Sequence, residues 1–102
     1  MLRVLSIAES EATRAACWYD DQSLGLGDDF LTEYANRLQQ IEETPKRFSF
    51  YEAIESAYEI RRAVLSRFPY AVIYQLLGSE TVVLAVMHLS RHPNYSISRV
   101  VE

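Results

Sequence analysis

Three consecutive β-type stretches between Tyr58 and Leu89 constrain this chain more than any other feature. In Tyr58 to Leu65, Tyr58, Ile60, Arg62 and Val64 fall on one face, and Glu59, Arg61, Ala63 and Leu65 on the other. Ser66-Arg67-Phe68-Pro69 forms a connection to Tyr70–Leu77, where Val72, Ile73 and Tyr74 favour a strand. Gly78-Ser79 then predicts a tight hairpin. Thr81 to Leu89 is almost wholly apolar, which marks a central strand buried on both faces. Such a sheet needs a cover, and the segment before it must supply one.

That segment reads as two helices. Residues 2–8 alternate roughly apolar and polar, giving a short first strand. Ser10 is the expected N-cap of a first helix, with Glu11 in its first turn and Ala12, Ala15, Ala16 and Tyr19 on one stripe as far as Gln22. Trp18 flanks that stripe. Gly25 and Gly27 break the pattern, and Asp28 or Asp29 is the expected cap of a second helix reaching Glu43. Its stripe is Phe30, Leu31, Tyr34, Leu38 and Ile41, and Thr44-Pro45 stops it. Residues 46–57 are the least legible. Phe48, Phe50 and Tyr51 are too apolar for a free linker and are expected over a sheet edge or the base of the helix pair, with a helical turn at Glu52–Ser56. The tail after Pro93 reads as irregular. The expected architecture is one α+β domain over 1–102, ordered β-α-α-β-β-β, with a helical hairpin packed on a mostly antiparallel four-stranded sheet. Pattern alone does not place the first strand.

Composition narrows the function. The 102 residues suffice for one core, and no apolar run approaches the roughly 18 residues of a membrane span. The start turns acidic after a few apolar residues, unlike a secretory signal, and Cys17 has no second cysteine to pair with; both favour the cytoplasm. The net charge of −4 is uneven: residues 1–59 carry five basic and twelve acidic side chains, and residues 60–102 five arginines and two acids. An acidic chain is a poor general binder of nucleic acid, whereas a local arginine face suits an acidic partner. There is no glycine-rich phosphate loop, and His88 and His92 lack further ligands in a segment that leaves a strand, so no metal or cofactor is expected. The pairs Asp20/Asp21 and Asp28/Asp29 are explained by helix ends and solvation, and Cys17 by packing.

The cluster His88, Arg91, His92 and Tyr95 is the strongest candidate for chemistry. Arg91 could stabilise charge on a phosphodiester while a histidine or the tyrosine moves protons. The competing reading is a strand end whose polar residues meet solvent, and composition favours it.

The ordered set Trp18-Tyr19, Gly25-Leu26-Gly27 with Phe30, Pro45, Arg61, Phe68-Pro69-Tyr70, Tyr74 and His88-x-x-Arg91-x-Pro93-x-Tyr95 resembles the ParE branch of the ParE/RelE toxins, also called plasmid stabilisation proteins. The resemblance spans the first strand to Tyr95, and its β-α-α-β-β-β fold agrees with the pattern-based expectation. It implies a bacterial type II toxin, bound and neutralised by a cognate antitoxin in a hetero-oligomer, that poisons DNA gyrase without being an enzyme. The RelE branch instead cleaves mRNA on the ribosome. For that alternative the candidate residues are Arg62, His88, Arg91, His92 and Tyr95, of which Arg91 matches an active-site arginine of that branch and Arg62 falls where it has a basic residue. However, Ala71 stands where the ribonuclease branch carries an arginine, which tilts the expectation to ParE. Relatives often have Trp where this chain has Ser96, and the tail is short, so a non-toxic antitoxin-binding relative is a third reading. For partner contacts the expected residues are Arg61, Arg62, Arg67, Tyr70, Arg91 and Tyr95.

Overall fold

The computed structural model describes residues 1–51 and 58–101. Its elements are β1 (Leu2–Val4), α1 (Ser6–Gln22), α2 (Leu26–Glu43), β2 (Ser49–Phe50), β3 (Glu59–Val64), β4 (Tyr70–Leu77), β5 (Glu80–His88) and a 3₁₀ segment (Pro93–Arg99). The strands form one sheet in the order β1-β5-β4-β3-β2. β1 runs parallel to β5, and every other pair is antiparallel. The α+β layout holds, with a helical hairpin on a sheet that is mostly antiparallel.

Among the described residues the sheet has five strands rather than four. The added one is β2, two residues that pair Ser49 with Arg62 and Phe50 with Arg61 at the outer edge. Phe48, Phe50 and Tyr51 therefore lie at a sheet edge, as expected; the helical turn expected at Glu52–Ser56 lies outside the described residues. Arg61 makes β2 possible. Its guanidinium donates to the carbonyls of Phe48 and Lys46, pairs with Glu59 at 2.7 Å and lies 4.1 Å from the Phe50 ring. A two-residue strand has too few ladder bonds to persist alone, and this clamp supplies what is missing.

The first strand is shorter than expected and the first helix longer. β1 stops at Val4, and α1 starts at Ser6 with Leu5 in extended backbone at its N-cap. Ser10 is thus inside the helix and not its cap. β1 pairs with Thr81–Val83, and the Leu5 amide adds a bond to the Val83 carbonyl at 3.1 Å, after which the chain turns away. The start of α2 is also earlier. Gly25, at φ 89°, is its N-cap, and Asp28 and Asp29 occupy the first turn, where the helix dipole favours acids. The left-handed backbone at Gly25 requires glycine. Gly27 has a different reason. A Cβ there would sit 2.3 Å from the Ala16 carbonyl oxygen, so only glycine lets the two helices approach this closely. Its amide donates to Asp20 Oδ1 at 2.7 Å.

The helices cover one face of the sheet. Ala8, Ala12, Ala15 and Ala16 of α1 and Phe30, Tyr34 and Ile41 of α2 pack on Ala63, Leu65, Val72, Tyr74, Val83 and Val86. The small alanines bring α1 close to β5. On the opposite face Ile60, Ala71, Ile73, Val82, Leu84, Ala85 and Met87 form a second core with Tyr51. Leu84 and Ala85 share that face because a bulge breaks the β4–β5 register: Ile73 faces Ala85 and Tyr74 faces Val83, leaving Leu84 without a partner. The Gly78-Ser79 hairpin forms as expected, with Gly78 at φ 59° as the first central residue.

The tail is not irregular. Pro93–Arg99 winds into 3₁₀ geometry, and Tyr95, Val100 and Val101 pack on the second core. Gln75, fully buried on β4, receives the Val101 amide at 2.8 Å and donates to the Val101 carbonyl at 2.6 Å. Ser96, where a Trp was the family expectation, is also fully buried. Among the described residues, no helix is long and apolar enough to cross a membrane.

Candidate functional site

A cleft of about 410 Å³ opens between α1, the C-terminal end of β5 and the 3₁₀ segment. Helical spacing puts Glu11, Arg14, Ala15 and Trp18 of α1 on its wall. The sheet contributes Tyr70, at the start of β4, and Val86, Met87 and His88, at the end of β5. Arg91 and Tyr95 close it from the C-terminal side.

The Phe68-Pro69-Tyr70 corner fixes the sheet side. The Tyr70 amide donates to the Phe68 carbonyl at 2.8 Å, and the Leu89 amide to the Pro69 carbonyl at 2.8 Å. Glu33 of α2 accepts from the Ser66 and Arg67 amides, which ties the corner to the helices. Tyr19, Phe30, Phe68 and Tyr70 form an aromatic cluster with centroid separations of 4.7 to 6.2 Å. Tyr70 meets the His88 ring edge-on at 5.2 Å. Burial pushes the Tyr70 phenol above its ordinary range, although the nearby Arg91 charge pulls it the other way.

Glu11 holds the C-terminal side in place, and sequence reasoning gave it only a helix-dipole role. Its carboxylate is buried and accepts from the Val86 amide at 3.1 Å, from the Tyr95 hydroxyl, and from both terminal nitrogens of Arg99 at 2.9 and 3.1 Å. Arg99 also donates to the Leu84 carbonyl at 3.0 Å. Burial alone would lower the Arg99 pKa, but its hydrogen bonds to Glu11 and Tyr95 outweigh that and raise it. β1 is too short to cover the far half of the β5 edge, so these side chains take the places of a neighbouring strand. The available sequence signal was an acid set among Ala8, Ala12 and Ala15 on the stripe that faces the sheet.

Of the residues singled out from sequence, Tyr70, His88, Arg91 and Tyr95 come together in this cleft. The Arg91 guanidinium lies over the Tyr95 ring at 4.8 Å. His92 does not join them: its Nδ1 accepts the Asn94 amide at 3.1 Å and caps the 3₁₀ segment. Arg61 is the buried clamp of β2. Arg62 is exposed and lies 5.4 Å from the Tyr51 ring, on the sheet face away from the helices. Arg67 sits at the β3–β4 corner, 3.5 Å from Asp29 in an exposed pair. Sequence reasoning missed Arg14, Trp18 and Glu11 as cleft residues. Trp18 is 57% exposed, an unusual position for an indole.

The polar groups of the cleft are tied to their neighbours. The Tyr95 hydroxyl is engaged by Glu11, and His88 Nδ1 accepts the Ser90 amide at 3.1 Å and contacts its hydroxyl at 2.8 Å. The Ser90 hydroxyl and His88 Nδ1 thus stand at nucleophile–base distance, but Ser90 does not line the cleft. No group of three or more His, Cys, Asp or Glu side chains among the described residues is placed to hold a metal.

No family model and no curated protein matches the sequence. Among solved structures, the chain is similar to one from the chromosomal ParDE TA system of P. aeruginosa, with a TM-score of 0.72 and 12% identity over 85% of this chain and 92% of that one. The helical hairpin on its mixed five-stranded sheet therefore has the ParE-like fold.

Proposed function

We propose that this chain, acting as one domain over 1–102, is the toxin component of a type II toxin–antitoxin system of the ParE kind. It acts in the cytoplasm, is held inactive by a cognate antitoxin in a hetero-oligomer, and inhibits DNA gyrase when released. The observation that supports this reading most is the likeness to the ParDE structure over nearly the whole of both chains. The ordered motif set supports it independently, because its members hold the parts of the fold together. The Tyr74 hydroxyl bonds the Pro45 carbonyl at 2.7 Å, Gly27 sets the helix contact, Arg61 clamps β2, and Phe68 to Tyr70 make the corner.

A ribonuclease of the RelE kind is the second reading, favoured by one observation: His88, Arg91 and Tyr95 share a cleft. Two others weigh against it. Ala71, at the position of that branch's arginine, is buried in the second core, and Arg62 is absent from the cleft lining. A net charge of −4 also disfavours a polyanionic substrate.

Induced expression in a bacterial host tests the proposal. Growth should stop, and co-expression of the neighbouring small reading frame should restore it. Uninterrupted growth with folded protein present would leave a non-toxic binding relative. Arrest accompanied by cuts at ribosomal A-site codons in toeprints would turn the assignment to the ribonuclease.

A further inference from the structure

We propose that the cleft between α1 and the 3₁₀ segment receives a carboxylate side chain from an acidic, partly apolar segment of a partner protein, held between Arg14 and Arg91. The proposal rests on the reading above that a protein partner neutralises this chain, and it names the site and the chemistry of that contact.

The charge balance of the cleft carries the inference. Arg3, Arg37, Arg61, Arg67 and Arg99 each have an acid within 4 Å. Arg14 and Arg91 have none among the described residues, and both line the same cleft. Glu11, the acid in the lining, is already saturated by Val86, Tyr95 and Arg99. Of the four arginines with no such acid among the described residues, Arg14, Arg47, Arg62 and Arg91, two therefore meet in one cleft of a chain whose net charge is −4. A guanidinium fork matches a carboxylate bidentately, and partial enclosure strengthens the pair. Ala15, Trp18, Tyr70, Val86 and Met87 supply apolar wall for residues flanking that carboxylate.

The main chain argues for a side-chain anchor rather than an added strand at this spot. On the β5 edge beyond β1, the Leu84 carbonyl and the Val86 amide are already taken by Arg99 and Glu11. A polyanion fits less well than a peptide. Residues 1–59 carry twelve acids, and their repulsion grows with every phosphate, whereas one carboxylate meets mainly the two local cations.

Trp18, the sole tryptophan, reports the cleft directly. The probes are an acetylated and amidated hexapeptide of alternating Leu and Glu, its Leu/Gln counterpart, and hexauridylate, each titrated against Trp18 fluorescence. Arg14→Ala, Arg91→Ala and the off-site control Arg3→Ala are compared; all three positions are exposed, and thermal melts verify folding. The Leu/Glu peptide should perturb Trp18 saturably, Leu/Gln should not, and each cleft variant should weaken binding roughly tenfold, with Arg3→Ala at the wild-type value. Binding of hexauridylate in place of the peptide would overturn the proposal in favour of a nucleic acid, and response to neither probe would overturn it outright. Growth arrest by a chain that ignores the peptide would refute the cleft contact alone. Peptide binding without growth arrest would leave the contact standing and refute the toxin assignment.

Discussion

Replacing Glu11 with Ala removes four hydrogen-bond donors' common partner at once. The Arg99 guanidinium, whose side chain is 11% exposed, would keep the Leu84 carbonyl and its contact with Tyr95 but lose its carboxylate, and the Val86 amide would lose its acceptor. Breaking a buried ion pair by deleting one member costs about 3–5 kcal/mol, because the remaining charge stays desolvated. The stability of a domain of this size is about 5–15 kcal/mol, so the loss takes a large share of it. At about 4–8 °C per kcal/mol, Glu11→Ala should lower Tm by something on the order of 15–30 °C. The loss should begin locally, since Glu11 joins α1 to a segment that contacts the rest through few elements. Amide exchange at Val86 and Val101 should accelerate more than at Ile73 in mid-sheet. A double replacement, Glu11→Met with Arg99→Met, removes the stranded charge and should recover most of the stability. Chemical denaturation of the three proteins with exchange mass spectrometry checks this. A Glu11→Ala cost under about 0.5 kcal/mol, the range of ordinary surface changes, would refute the latch.

Two further outcomes follow from the core. Burial pushes the Tyr74 phenol up to about 12, with Arg61 opposing and Glu59 adding to the rise. A raised phenol stabilises the fold fully below its ordinary value near 10, and that contribution disappears as pH climbs toward 12; tyrosinate absorbance should therefore rise together with loss of helical circular dichroism, and early ionisation of all seven tyrosines in a folded chain would contradict this. Gly27→Ala should cost about 1–3 kcal/mol by urea denaturation, because the added methyl meets the Ala16 carbonyl, which cannot move freely within α1; an unchanged midpoint would mean that the helices separate easily.

Elements with strong local periodicity were the legible ones. The three strands and the α2 stripe lie within a residue or two of their expected places, since alternation and 3.6-residue spacing are local signals. The early start of α1 was hidden because Leu5, Ile7 and Ala8 extend a strand-like alternation into what is helix. β2 was not readable, because its two residues are fixed by Arg61 from the next strand rather than by their own propensity. The tail appeared irregular for the same reason: Gln75 and Glu11, which hold it, lie 26 and 88 residues away in sequence. His88, Arg91 and Tyr95 were visible as one cluster because they are close in sequence. The α1 side of the cleft was not, since nothing local links Arg14 and Trp18 to Arg91.

Gyrase supercoiling with the purified protein tests the central claim most directly. Relaxed plasmid, gyrase and ATP are incubated with increasing amounts of the folded chain, and the products are resolved by electrophoresis. The account predicts loss of supercoiling with accumulation of cleaved plasmid, and recovery when the neutralising partner is added. Full supercoiling at a large molar excess of folded protein would contradict it.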